Sequence, residues 1–241
     1  MTPVILLTRP APDAEAFAAM LRDRLDGVAV LISPLLRIEP VGDLPGMAGI
    51  DGLIFTSRNG VRAYAAQGGP ARPCYCVGEG TAEVARAAGM DVLDQAEDAA
   101  TLLPRIVAAR PAGRWLHLHG RHLRMDFGAE LRAAGIAAGG RAIYDQRAEP
   151  LTDAARDALS GNAPVIAPVF SPRTGKLLVQ GENPRAPVYI VAMSPAVAEA
   201  VAPWSGAKCT IAGQPDLRSM VDTVVVCHDR VSRVEGTGAA K

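Results

Sequence analysis

Short runs that are apolar on both faces alternate along the chain with alanine-rich stretches whose apolar residues recur every three to four positions. Residues 4–8, 28–32, 51–56, 74–77, 115–119, 165–170, 188–193 and 208–212 have the apolar, partly β-branched character of buried strands. Helical spacing covers residues 13–25, where Phe17, Met20, Leu21 and Leu25 form one stripe, and 59–67, where Val61 and Tyr64 point inward. A further helix opens at Gly80, with Thr81 as its expected N-cap and Gly89 as its stop. Helices are also expected over 98–109, distorted near Pro104, over 126–134, stopped by Gly135, and over 172–179, 195–201 and 216–225. Ser194-Pro195 has the form of an N-cap followed by proline at the first helical position. The last dozen residues show no periodicity and are expected to fray.

Strand and helix alternating at this pace predict βαβ units, with parallel sheets covered by helices on both faces. Ligands of such sheets sit beyond the carboxyl ends of the strands, so the strand-to-helix loops are where function is sought. The second half of the chain resembles the first. FTSRNG (55–60) matches FSPRTG (170–175), VGEGTAEVA (77–85) matches MSPAVAEAV (193–201), and LLTR (6–9) loosely matches LHLHGR (116–121). Two of these blocks share nearly one offset, which predicts two similar α/β units with a cleft between them.

The 241 residues suffice for one large domain or two smaller ones, and 49% apolar against 21% charged residues excludes a disordered chain. Aromatics at 4% argue against stacking of single-stranded nucleic acid. With 25 basic and 25 acidic side chains, no global field draws in nucleic acid or anionic lipid, and any anion must be caught by local groups. Cys74, Cys76, Cys209 and Cys227 form neither a disulfide framework nor a zinc signature. The N-terminus lacks the positive start and long apolar run of a signal peptide, so the expectation is a soluble, cytoplasmic protein, and a monomer, since nothing suggests an obligate interface.

ILLTRP near the N-terminus, SPLLRIEP (33–40), IFTSRNGV (54–61), YCVGEGTAEVARAAG (75–89), IYDQ (143–146), FSPRTG (170–175) and SPAVAEAVA (194–202) occur in order. Together they resemble the uroporphyrinogen-III synthase family over residues 4–225. That resemblance implies a lyase of porphyrin and heme biosynthesis that works without metal or organic cofactor. It would cyclise hydroxymethylbilane with inversion of the last pyrrole ring, giving uroporphyrinogen III and water. The implied fold is two flavodoxin-like α/β domains joined by a two-stranded β-ladder at 35–39 and 142–146. Domain 1 would be discontinuous, 1–34 with 147–241, and domain 2 would span 40–141. The implied partner is the small-molecule substrate, with no nucleic acid and no membrane.

Such a substrate carries eight carboxylates, which proteins hold with arginine forks, hydroxyls and backbone N–H groups at helix starts. The strand-to-helix loops supply Thr8 and Arg9; Ser57, Arg58 and Asn59; Gly78, Gly80 and Thr81; Ser171, Arg173 and Thr174; Ser194; and Gly213. Any one of these hydroxyls is better explained as a helix cap, but the set at one sheet edge reads as a binding surface. Tyr144 lies in the implied ladder, where the family places a functionally important tyrosine. A neutral phenol can donate a hydrogen bond to the departing hydroxyl; a structural tyrosine bonded across strands is the alternative. One departure concerns the loop before the last helix, where some relatives carry threonine. Here Ser219 is its only hydroxyl, so no catalytic threonine is carried over.

Other features fit other classes less well. Gly78-x-Gly80 lacks the third glycine and the following acid of a dinucleotide loop. His117 and His119 share a strand face, but no carboxylate or thiol cluster joins them and His122, so core and loop histidines are expected, with His119 toward the cleft. Cys74 and Cys76 are expected to pack as small hydrophobes, and Trp115 and Trp204 as anchors. The rival to the lyase is a two-lobed small-ligand binding module or regulator without catalysis.

Overall fold

The computed structural model describes residues 2–238 apart from 124 and 182, with only the backbone course of the last helix beyond residue 233. The chain divides into two compact units, Met1–Arg37 with Ala148–Lys241, and Ile38–Arg147.

The first unit holds β1 (Val4–Leu7), α1 (Ala11–Arg22) and β2 (Ala29–Ile32) from the start of the chain. It is completed by α6 (Asp153–Ser160), β9 (Val165–Val169), α7 (Pro172–Leu178), β10 (Val188–Ala192), α8 (Pro195–Val201), β11 (Lys208–Ile211) and α9 (Leu217–Gly238). Its strands form one parallel sheet in the order β11-β10-β9-β1-β2. In the unit's own chain order this is the flavodoxin arrangement 2-1-3-4-5. All five residues of β9 are buried, as a strand covered on both faces requires. One core layer centres on Leu6, Val165, Val188, Leu178 and Val201. The other centres on Ile5, Leu7, Phe17, Ile166, Val191 and Val224.

The second unit holds β4 (Gly52–Phe55), α2 (Arg58–Ala66), β5 (Pro73–Val77), α3 (Glu79–Ala87), β6 (Asp91–Ala96), α4 (Ala99–Ala109), β7 (Trp115–Gly120) and α5 (Phe127–Ala133). Its sheet continues through the long β8 (Ala138–Ala148) to β3 (Leu36–Pro40), in the order β3-β8-β7-β4-β5-β6. The strands β4 to β8 run parallel to one another. Set beside the first sheet, β6-β5-β4-β7-β8 repeats the spatial order β11-β10-β9-β1-β2 with the chain permuted. The permutation explains the repeat blocks: two of them run in step, while the β1 block meets its counterpart, β7, late in the unit rather than at its start.

The chain passes between the units within β3 and returns within β8. The bonds Val41 N to Ile143 O and Glu149 N to Leu35 O run in opposite senses along the two strands, so β3 and β8 pair antiparallel. Arg37 Nε to Glu149, at 2.7 Å, and Arg147 Nε to Glu39, at 2.5 Å, lie across this ladder.

The structure corrects several sequence expectations. α3 starts at Glu79 with Gly78 as its N-cap at φ 83°, and Thr81 sits inside the first turn with its N–H on the Gly78 carbonyl. Glycine reaches that left-handed conformation without cost, so the turn needs no threonine cap. β6 and α6 carried no recognised signal: β6 is a half-exposed edge strand rich in Asp and Gln, and α6 buries only Ala155 and Leu159. The C-terminal stretch from residue 230 is helical as far as Gly238 where no periodic element was expected. In α9, Met220, Val224 and Val231 carry one buried stripe past the charged residues between them; residues 239–241 lie outside the described residues.

Candidate functional site

In each unit the expected residues gather at the carboxyl ends of the parallel strands. The strand order reverses between β1 and β9 in the first unit and between β4 and β7 in the second. Such switch points open a crevice that ligands use.

At the first unit's edge, Arg9 follows β1. Its guanidinium lies 4.0 Å from the centre of the Phe170 ring beyond β9 and 3.7 Å from the Asp13 carboxylate. Thr8 is buried, and its Oγ1 has no protein hydrogen-bond partner. Ser171 caps α7: its Oγ accepts from Thr174 N–H at 3.2 Å and lies 2.9 Å from Thr174 Oγ1. Arg173 is half-buried in the first turn of the same helix. Ser194 is the N-cap of α8 by position but makes no side-chain capping bond. Gly213 borders the last loop, where Ser219 Oγ accepts from Gln214 N–H at 2.9 Å, so that serine closes the loop.

At the second unit's edge, Ser57 caps α2, accepting from Asn59 N–H at 3.2 Å. Arg58 lies against the first turn of α3, where a Cβ on Gly80 would overlap its guanidinium. Only glycine lets this cation rest on the helix start, beside the exposed-end N–H groups that attract anions. Thr81 is buried beneath.

Tyr144 owes its position to a β-bulge. His119 faces Ala142 across the β7–β8 ladder, yet Gly120 faces Tyr144, so Ile143 is extra and the strand turns Tyr144 toward the edge. Ile143 and Tyr144 then both join the same core cluster. The ring packs on Gly120, where a Cβ would come within 2.8 Å of it. Burial raises the phenol above its ordinary pKa, opposed by hydrogen bonds to the Ser57 side chain and the Gly120 backbone. The group is therefore a neutral proton carrier at physiological pH.

His119 Nδ1 lies 2.8 Å from the Gly120 carbonyl, which can only accept, so the proton sits on Nδ1. His117 is wholly buried, with its ring 4.8 Å from that of His119, and His122 is exposed. Among the described residues no group of His, Cys, Asp and Glu could hold a metal ion. Cys74 and Cys76 are packed in the core, and the neighbouring Cys74 sulfur and burial push the Cys76 thiol up.

Thr56 belongs to this edge and escaped the sequence reading. Its Oγ1 lies 3.3 Å from His117 Nε2. The repeat held the signal, because FTSRNG aligned on FSPRTG puts Thr56, not Ser57, opposite Ser171.

Comparison with known proteins bears on the fold and the family. No curated protein matches the chain significantly. A solved uroporphyrinogen-III synthetase from Helicobacter pylori is similar with a TM-score of 0.64 at 16% identity, over 94% of this chain and all of that one. A mutant uroporphyrinogen III synthase from Thermus thermophilus gives 0.51 at 16% identity, over 96% and 99% of the two chains. Those likenesses bear on the fold. A family model described as uroporphyrinogen-III synthase HemD matches residues 15–222, and on that span the chain belongs to the uroporphyrinogen-III synthase family.

Proposed function

We propose that the chain carries out its family's cyclisation of hydroxymethylbilane by holding the substrate's carboxylates at the strand ends of its two units while Tyr144 assists departure of the terminal hydroxyl. Arg9, Arg58 and Arg173 supply the cationic forks. The hydroxyls of Ser57, Ser171, Thr174 and Ser194 and the N–H groups around Gly78, Gly80 and Gly213 supply donors. His119, Thr8, Asn59 and Thr81 border the same edges.

The reaction begins as the C–O bond of the hydroxymethyl group breaks. The electron pair leaves with oxygen, the Tyr144 phenol donates a hydrogen bond and then its proton, and water departs from an azafulvene cation. The substituted carbon of the last ring attacks that cation, giving a spiro intermediate, which reopens and rejoins with the ring inverted. The pyrrole proton lost on closure restores the phenol. Binding geometry contributes most, since unaided closure gives the non-inverted isomer. Zero net charge favours a free small molecule as sole partner, and no helix among the described residues is long and apolar enough to cross a membrane. We read the working form as a cytoplasmic monomer.

The observation that carries the Tyr144 role is the bulge that sets a proton-bearing phenol beside Ser57 and Gly120. Tyr144→Phe should lower kcat by about 10²-fold or less and leave product affinity nearly intact. Lost stability from one hydrogen bond would amount to roughly 0.5–1.5 kcal/mol, so turnover and melting are measured on one preparation. Full turnover with an unchanged melting curve removes Tyr144 from the mechanism.

A further inference from the structure

We propose that the buried His117 ring fixes the direction of the Thr56 hydroxyl, so that Thr56 keeps its proton free to donate a hydrogen bond to a substrate carboxylate. The proposal rests on the reading above that the strand ends of the second unit hold the substrate.

His117 lies in β7, paired with Ile54 of β4, and Thr56 follows β4 directly. The His117 ring is wholly buried, edge-on to Phe127 at 5.3 Å and tilted on His119 at 4.8 Å. Among the described residues its one polar contact is Nε2 to Thr56 Oγ1 at 3.3 Å, and its Nδ1 is buried with no hydrogen-bond partner there. Desolvation, with the nearby His119, keeps the ring neutral, so it carries a single N–H.

That proton has two places. On Nδ1 it would be a buried donor aimed at no acceptor, while Nε2 took the Thr56 proton and left Thr56 able only to accept. On Nε2 it is given to Thr56 Oγ1, and only an acceptor lone pair stays unfilled among aromatic edges. Buried orphan N–H groups are rarer than under-used acceptors, so the Nε2–H form is favoured. Thr56 Oγ1 then accepts from inside the protein and turns its own proton outward. The residue is half-exposed at the carboxyl end of β4, beside Ser57, and there it can serve a ligand group that only accepts. The substrate's carboxylates are such groups; its pyrrole N–H groups are not. His117 is thus a positioning residue that keeps the Thr56 proton free for an acceptor.

Long-range 1H–15N correlation spectra of the ligand-free, 15N-labelled protein read the tautomer directly. The expected pattern is His117 protonated at Nε2 and unchanged from about pH 5.5 to pH 8. Kinetics supply the second readout. Thr56→Val should raise KM about 10-fold, the loss of one hydrogen bond to a charged acceptor. His117→Phe should raise KM about 2- to 5-fold with kcat nearly unchanged, and add nothing in the Thr56→Val background. His117→Gln, whose side-chain amide can place an N–H near Oγ1, should restore most of the loss. A ring protonated at Nδ1 overturns the proposal directly. Independent losses in the double variant overturn it by showing that His117 serves only the fold. An Nε2-protonated ring with unchanged KM in Thr56→Val overturns it through the substrate placement on which it rests.

Discussion

Acid should destabilise the second unit through His117, and by an amount that follows from its burial. Loss of hydration holds this ring's pKa down at about 3, with His119 pushing the same way and Asp126 opposing, against an ordinary value of 6.5. Between those two values the unfolded chain binds a proton on this ring and the folded chain does not, so stability falls as pH drops through 6.5 toward 3. Each pH unit inside the window is worth about 1.4 kcal/mol. From about pH 7.5 to pH 5 only the last 1.5 units count, roughly 2 kcal/mol, and the whole window is worth roughly 5 kcal/mol. Against a domain stability of about 5–15 kcal/mol this is a large share. The chain has two tryptophans, Trp115 in the second unit and Trp204 in the first. Urea unfolding followed by fluorescence in a Trp204→Phe background therefore reports the second unit. The assay compares the loss of stability between the two pH values with and without His117→Gln, which removes the titrating ring from both states. The original chain should lose about 2 kcal/mol more than the variant. Equal losses would refute the claim that this ring is buried neutral.

Gly80→Ala should separate stability from binding: the added Cβ must displace the Arg58 guanidinium, raising KM several-fold, while a helical alanine leaves stability equal or up to about 1 kcal/mol higher. Melting curves and steady-state kinetics on the same protein check both parts. Arg173→Gln should raise KM about 10-fold and change kcat less, because a carboxylate fork holds substrate and transition state alike; initial rates over a range of substrate concentrations read the split.

What the sequence disclosed followed burial. Strands covered on both faces, such as β4 and β9, stood out because every residue is apolar or small. β6 did not, because an edge strand tolerates Asp91, Asp94 and Gln95 and its pattern dissolves into that of a loop. The end of α9 was hidden because Val231 returns to the core only after His228, Asp229 and Arg230. At the site, Ser57 and Ser171 were legible as hydroxyls at helix starts, and both turn out to be caps as well as edge residues. Tyr144 was reached through family resemblance alone. Its aim depends on the bulge at Ile143, a ladder irregularity that local composition does not encode. The Thr56–His117 contact joins the residue after β4 to one within β7, and no single-segment pattern can report such a pair.

The most direct test of the account is isomer analysis of the product. Purified, metal-stripped protein supplied with hydroxymethylbilane should yield the type III uroporphyrinogen, with the last ring inverted, faster than the spontaneous reaction gives the type I isomer. Folded protein that yields only the type I isomer would contradict the account.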